Sequence, residues 1–186
     1  MKVVAFVGSP RTEGTTDALV RQVLDGAEDK GADTAIFHIG VLNINGCKAC
    51  MACKKSGVCI QKDDMQELYD EIRSADAIVL GTPIYIYYMT AQMKAFTDRL
   101  FCFIGYNFEK RLDEKKTVFI VTQGAENPEL FSAQIENMKK AWSMVNISVV
   151  ETIIATGTHK REQITKNEEL MERAFIAGQD LVDLQV

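Results

Sequence analysis

The sequence predicts a doubly wound α/β domain on a five-stranded parallel sheet in the order 2-1-3-4-5. Three observations lead there. Short apolar runs rich in β-branched residues alternate with longer stretches of helical period. Those runs lack polar alternation, which suits strands covered by helices on both faces. The chain has 186 residues and no repeat, low-complexity tract or linker, so residues 1–186 read as one domain.

The elements follow in order. Val3 to Val7 is a buried strand closed by Gly8. From Thr16 the period becomes helical, with Leu19, Val20, Val23, Leu24 and Ala27 on one face and Gly31 at the C-cap. Thr34 to Ile39 is the second strand. Asp63 is expected to cap the next helix, with Gln66 completing a capping box, so the pair Asp63-Asp64 is given no catalytic role. Ala77 to Leu80 is the third strand, ended by Gly81-Thr82-Pro83. Thr90 caps a helix carrying Met93, Phe96, Leu100 and Ile104. Thr117 to Thr122 is the fourth strand, and Asn127-Pro128-Glu129 opens a helix with Phe131, Ile135, Met138, Trp142 and Val145. Ile147 to Ala155 is the fifth strand, and a last helix runs from Thr165 to about Leu184.

Composition narrows the function. A chain this size buries roughly 70% of its unfolded surface, so cysteines are not needed as staples. A net charge of −5 argues against a nucleic-acid partner. No apolar run reaches membrane-spanning length, and Met1 to Pro10 is too short and too poor in cleavage signals for a leader. A soluble, cytoplasmic protein is expected.

Four of the five cysteines, Cys47, Cys50, Cys53 and Cys59, follow the pattern C-x2-C-x2-C-x5-C inside a loop at about 46–62. Two-residue gaps let a chain wrap an iron–sulfur cube. Unligated thiols and a zinc site are the other readings, although zinc more often uses two separated C-x2-C pairs. Disulfides are disfavoured by the close spacing. Lys48, Lys54 and Lys55 could favour a negative cluster or simply solvate the loop. Cys102 reads as a small buried hydrophobe.

A sheet of this order binds ligands where its strand order switches, at the carboxyl ends. That rule selects three loops. Gly8 to Thr16 supplies Ser9, Arg11, Thr12, Gly14, Thr15 and Thr16 at a helix N-terminus, an anion site that is neither a nucleotide P-loop nor a dinucleotide fingerprint. A phosphate monoester such as that of FMN fits. Pro83, Ile84, Tyr85, Ile86, Tyr87 and Tyr88 could wall a flat heterocycle or form a subunit contact. Thr122 to Ala125, with Gly124, offers small residues and amides to the ring's polar edge.

These three loops, together with the cysteine loop running into Asp63-Asp64-Met65 and the run Met89-Thr90-Ala91-Gln92-Met93-Lys94, resemble the NADPH-dependent FMN reductase superfamily. The four cysteines resemble those of its iron–sulfur flavoproteins. The resemblance covers most of the chain and weakens after Gly124. It implies a flavodoxin-like fold, noncovalent FMN and a homo-oligomer, a homodimer or homotetramer. Ser9, Arg11, Thr15 and Thr16 would bind phosphate, and Pro83 to Tyr88 with Gly124 would contact the ring. The departure Ile86-Tyr87-Tyr88, where many relatives carry Gly or Asn, bears on the width of the cleft.

The expected function is therefore an FMN-dependent oxidoreductase passing electrons between FMN and a [4Fe-4S] cluster, with NAD(P)H or ferredoxin as donor. The alternatives are an NAD(P)H-dependent FMN or quinone reductase without a cluster, and a zinc-binding module without flavin. The flavin carries the chemistry, so no catalytic acid or base is assigned, and the isolated His38 and His159 are read as structural or exposed.

Overall fold

The structure, a computed structural model, describes residues 1–184. Strands β1 (Lys2–Val7), β2 (Asp33–Phe37), β3 (Ala77–Tyr85), β4 (Tyr88–Met89), β5 (Lys115–Thr122) and β6 (Ile147–Ala155) are joined by helices α1 (Thr15–Asp29), α2 (Cys53–Ser56), α3 (Met65–Ser74), α4 (Ala91–Arg99), α5 (Ser132–Ser143), α6 (Arg161–Thr165) and α7 (Glu168–Asp183). The sheet order is β2-β1-β3-β5-β6, with all four neighbouring pairs parallel and β4 attached only to β3. Counting the long strands alone, this is the expected 2-1-3-4-5 order of a flavodoxin-like fold.

The pleat explains the unbroken apolar runs. Phe6, Leu80 and Phe119 are register partners across the three central strands and face the layer of α3, α4 and α5. One position earlier, Ala5, Val79 and Val118 point the other way, onto α1 and α7. Both faces are dry, so neither has a place for polar residues.

Several boundaries differ from the sequence reading. β2 runs from Asp33 and stops at Phe37, where its pairing with β1 runs out, and Ile39 turns into the core instead. β3 does not end at Gly81-Thr82-Pro83. It continues because β5 still pairs with it as far as Pro83↔Thr122, while its pairing with β1 ends at Gly81. A proline with no N–H to offer is tolerated on that one-sided stretch. The tyrosine segment is a β3–β4 hairpin whose turn residues Ile86 and Tyr87 have φ of 41° and 68°. The helix capped by Thr90 ends at Arg99 and tightens into a 3-10 turn, Leu100–Phe103, so Ile104 is not helical. The last helix is two, α6 and α7, with the Asn167 side chain accepting the Leu170 N–H at 3.0 Å. Gly31 closes α1 with φ of 81°, as expected.

Asp63 departs most. It caps no helix; α3 has Asp64 at its N-cap, without a side-chain bond. The Asp63 carboxylate instead forms a two-pronged ion pair with Arg99 at 2.6 and 2.9 Å, both side chains being fully buried. Gln66 donates to the carbonyls of Cys59 and Gln61 instead of to the cap. A guanidinium from another helix, invisible to local pattern, outcompetes the cap.

Burial alone would raise the Asp63 pKa, but bonds from Arg99 and Asn45 outweigh it and hold the carboxyl below its usual range. The stability this pair confers is thus present above the ordinary aspartate value, about 4, and lost as pH falls through the lower folded value. Arg99→Ala should cost roughly 3–5 kcal/mol by leaving a buried carboxylate unpaired. Thermal melts at pH 7 and at progressively lower pH test this: the gap between variant and wild type should narrow with acid.

Candidate functional site

The β1–α1 turn is built on Ser9. Its buried Oγ accepts the Arg11 N–H at 3.1 Å and donates to the Arg11 carbonyl at 3.3 Å, folding the loop back on itself. α1 then starts after Gly14, an N-cap residue without a side chain to cap the first turn. The leading N–H groups of the helix therefore keep their capacity for an outside acceptor.

Two buried hydroxyl contacts bring the other loops to this one. Thr16 and Thr122 share a hydrogen bond of 2.8 Å, tying α1 to the end of β5. Thr90 donates to the Gly8 carbonyl at 2.7 Å while accepting the Met93 N–H at 3.1 Å, tying the hairpin's exit to the end of β1. The result is one cleft of about 380 Å³.

Ser9, Arg11, Gly14, Thr15, Thr16, Pro83, Ile84, Tyr85, Thr122 and Gly124 all line it. Thr12, Ile86, Tyr87 and Tyr88 do not. Thr12 faces solvent, and Ile86 is 97% exposed at the hairpin tip. Tyr87 sets its ring edge-on to Phe131, centroids 5.1 Å apart, and Tyr88 packs on the core.

The lining includes three residues that the sequence reading did not assign: Gln123, Thr158 and His159. Gln123 adjoins two assigned residues, Thr122 and Gly124. The other two follow the fifth strand, and no local motif marks them. The Gln123 amide is oriented by bonds from Nε2 to the carbonyls of Ala125 (3.2 Å) and Asn127 (2.8 Å), which leaves Oε1 buried and without a partner among the described residues.

A buried acid underlies the β1–α1 loop. Asp17 accepts from Arg21 at 3.0 Å, His38 at 2.8 Å and Arg161 at 3.0 Å. Burial opposes its ionisation, yet the bonds from His38, Arg161 and Arg21 prevail and hold its pKa below the usual value. His38 is structural in this sense, and its cationic neighbours offset a carboxylate that would otherwise repel an anion.

The cysteine loop is tied at its base. The Asp64 carboxylate accepts the Asn43 N–H at 2.7 Å, Asp63 accepts the Asn45 N–H at 2.9 Å, and Arg99 donates to the Asn45 carbonyl at 2.8 Å. Within the loop Ala49 and Met51 take φ of 51° and 61°, and the Ala49 N–H points at Cys47 Sγ at 3.5 Å. Cys47 and Cys50 are exposed, Cys59 is half-buried, and Cys53 is buried, which pushes its thiol pKa up. All-thiolate donors suit an iron–sulfur cluster chemically. Among the described residues, however, no three metal-ligating side chains are gathered round a common point, and none of the four cysteines lines the cleft.

Lys54 is not solvated. Its ammonium donates to the Ile104 carbonyl at 2.6 Å and lies 3.3 Å from the Phe101 ring centre. Cys102 is buried as expected, its thiol pushed up to about 11 chiefly by burial.

Residues 1–159 match the NADPH-dependent FMN reductase family. An iron–sulfur flavoprotein from Archaeoglobus fulgidus is 34% identical over 79% of this chain and 66% of its own length. Another from the same organism is 33% identical over 85% of this chain and 78% of its own, and one from Methanosarcina thermophila is 35% identical over 53% and 52%. The chain thus spans about half to two thirds of the length of several curated relatives it matches. In fold it is similar to a solved NAD(P)H:quinone oxidoreductase from Methanothermobacter marburgensis, with a TM-score of 0.74, 17% identity and coverage of 98% and 97%. A flavodoxin from the domain Archaea gives 0.63, 16%, 100% and 99%.

Two outcomes are expected. Arg11→Ala should weaken FMN by roughly 10- to 100-fold, the loss of a charge-assisted bond, and leave riboflavin nearly unaffected; equal losses in a fluorescence titration would remove Arg11 from the phosphate. Tyr85→Ala should weaken flavin binding, whereas Tyr87→Ala should cost about 1 kcal/mol of stability through the Phe131 contact and spare the flavin.

Proposed function

The chain belongs to the NADPH-dependent FMN reductase family, and from that premise we propose that it is a flavin-dependent oxidoreductase that moves electrons between FMN and a [4Fe-4S] cluster. The observation that carries the flavin half is the single cleft joining an uncapped helix N-terminus and Arg11 to the wall of Pro83, Ile84 and Tyr85. A phosphate needs the first, and a flat ring needs the second. Gln123 Oε1, without a partner among the described residues, is a buried acceptor of the kind that the N–H-bearing edge of a flavin satisfies.

FMN, when bound, supplies hydride and single-electron chemistry. The chain's part is to hold and orient it. Ser9, Arg11, Thr15 and Thr16 take the phosphate, Pro83 to Tyr85 cover one face, and Thr122 to Gly124 line the polar edge. Cys47, Cys50, Cys53 and Cys59 are the cluster ligands; the support is their donor chemistry and the iron–sulfur flavoprotein relatives. NAD(P)H or ferredoxin is the electron donor. The exposed hairpin tip at Ile86 is the surface for assembly into a homodimer or homotetramer.

The separation of the four thiols favours a second reading, an NAD(P)H-dependent FMN or quinone reductase without a cluster. One experiment divides the two. Protein prepared without oxygen should carry FMN and, after reconstitution, about four irons and four sulfides per chain. Cys50→Ser should lose the iron and keep the flavin. Flavin without iron supports the second reading, and zinc without flavin overturns both.

A further inference from the structure

The segment Gly157 to Lys160, between β6 and α6, with Arg161 at the start of α6, is a strap across the top of the cleft. Thr158 donates to the Gln123 carbonyl through both its N–H and its Oγ1, each at 3.1 Å, and Gly157 donates to the Ala125 carbonyl at 3.2 Å. At its other end Arg161 reaches the Gly14 carbonyl at 3.2 Å and Asp17 at 3.0 Å. The strap therefore ties the ring end of the cleft to the phosphate end. Between these anchors the N–H groups of His159 and Lys160 share Gln163 Oε1, at 2.9 and 2.8 Å.

This fixes the backbone of His159 and seats its imidazole on Gly124. A Cβ at position 124 would lie 3.0 Å from His159 Cε1, closer than the ring can accept without shifting. The two bonds to Gln163 are also the capping box that opens α6; what places His159 at the site is that its exposed imidazole lines the cleft beside Gly124. Arg11 and Tyr85 are the other ionisable side chains of the lining. Glu126 stands behind Gly157, Lys160 and Arg161 belong to the strap, and Asp17 is already matched by Arg21, His38 and Arg161.

We propose that His159 is a further residue of the flavin site: its imidazole covers the ring edge at Gly124 and, when protonated, faces the negative charge of the reduced flavin. The assignment rests on the flavin reading above. Two electrons and one proton turn the neutral ring into an anion, and an imidazolium in contact stabilises that form over the oxidised one. The contribution belongs to the charged imidazole, the form that acid favours.

The test uses the full chain loaded with FMN, comparing wild type, His159→Ala and Gly124→Ala. Flavin fluorescence gives the affinity, and reductive titration followed by flavin absorbance gives the potential at pH 6 and pH 8.5. His159→Ala should weaken FMN roughly three- to tenfold, the range of an aromatic contact. It should also lower the flavin potential at pH 6 more than at pH 8.5. Gly124→Ala, whose Cβ requires the imidazole to give by a few tenths of an ångström, should shift both in the same direction by less. Wild-type affinity and potentials in His159→Ala overturn this assignment alone. A loss of affinity with an unaltered pH response overturns the role of its charge. A wild-type chain that binds no FMN overturns the flavin reading and this inference with it.

Discussion

Parallel pairing of β3 with β1 on one side and β5 on the other is the constraint on which the site depends. Because all three strands run the same way, the loops after Val7, Tyr85 and Thr122 leave the sheet at one edge. Polar backbone in those loops must then be satisfied at the rim of a dry core. The bond from Thr90 to the Gly8 carbonyl does this, and the hydroxyl pair of Thr16 and Thr122 ties α1 to the end of β5 across the cleft. A buried hydroxyl left without its partner costs about 1–3 kcal/mol, so these bonds also fix the loops relative to one another.

The cysteine loop is held by different means. It contributes little to the core, and its base is secured by carboxylates, backbone N–H groups and the Arg99 guanidinium. Such a clamp does not tell the loop which way its thiols should face. Two cations lie under the short helix α2. Arg111 bonds the carbonyls of Cys53 and Lys54, and the Lys54 ammonium is taken out of water, which lowers its pKa. A desolvated ammonium costs several kcal/mol, offset in part by the Ile104 carbonyl and the Phe101 ring.

The hairpin tip carries backbone strain. Ile86 and Tyr87 both have positive φ, a conformation costing of order 1–3 kcal/mol for each non-glycine residue. The Tyr87–Phe131 contact offsets part of that for Tyr87. Ile86 is almost wholly exposed and makes no such contact among the described residues. Positive φ at both positions is what a two-residue turn joining β3 to β4 requires.

What the sequence determined by itself was whatever short-range pattern encodes. Runs such as Val3 to Val7, short, β-branched and without polar alternation, read as strands covered on both faces, and their alternation with helical periods points to a parallel sheet. The β1–α1 loop is also local, since hydroxyls, Arg11 and two glycines stand together before a helix, and Thr90 caps its helix through a bond only three residues long. Tertiary structure decided the rest, because it depends on groups distant in the chain. Arg99 drew Asp63 away from the cap it was expected to form, and pairing with β5 carried β3 through a proline that reads as a breaker. His159 reached the cleft from beyond the last strand, 35 residues from the glycine it rests on. Spacing names the four cysteines as possible ligands, but their directions follow from how the clamped loop is wound, and no pattern in the chain records that.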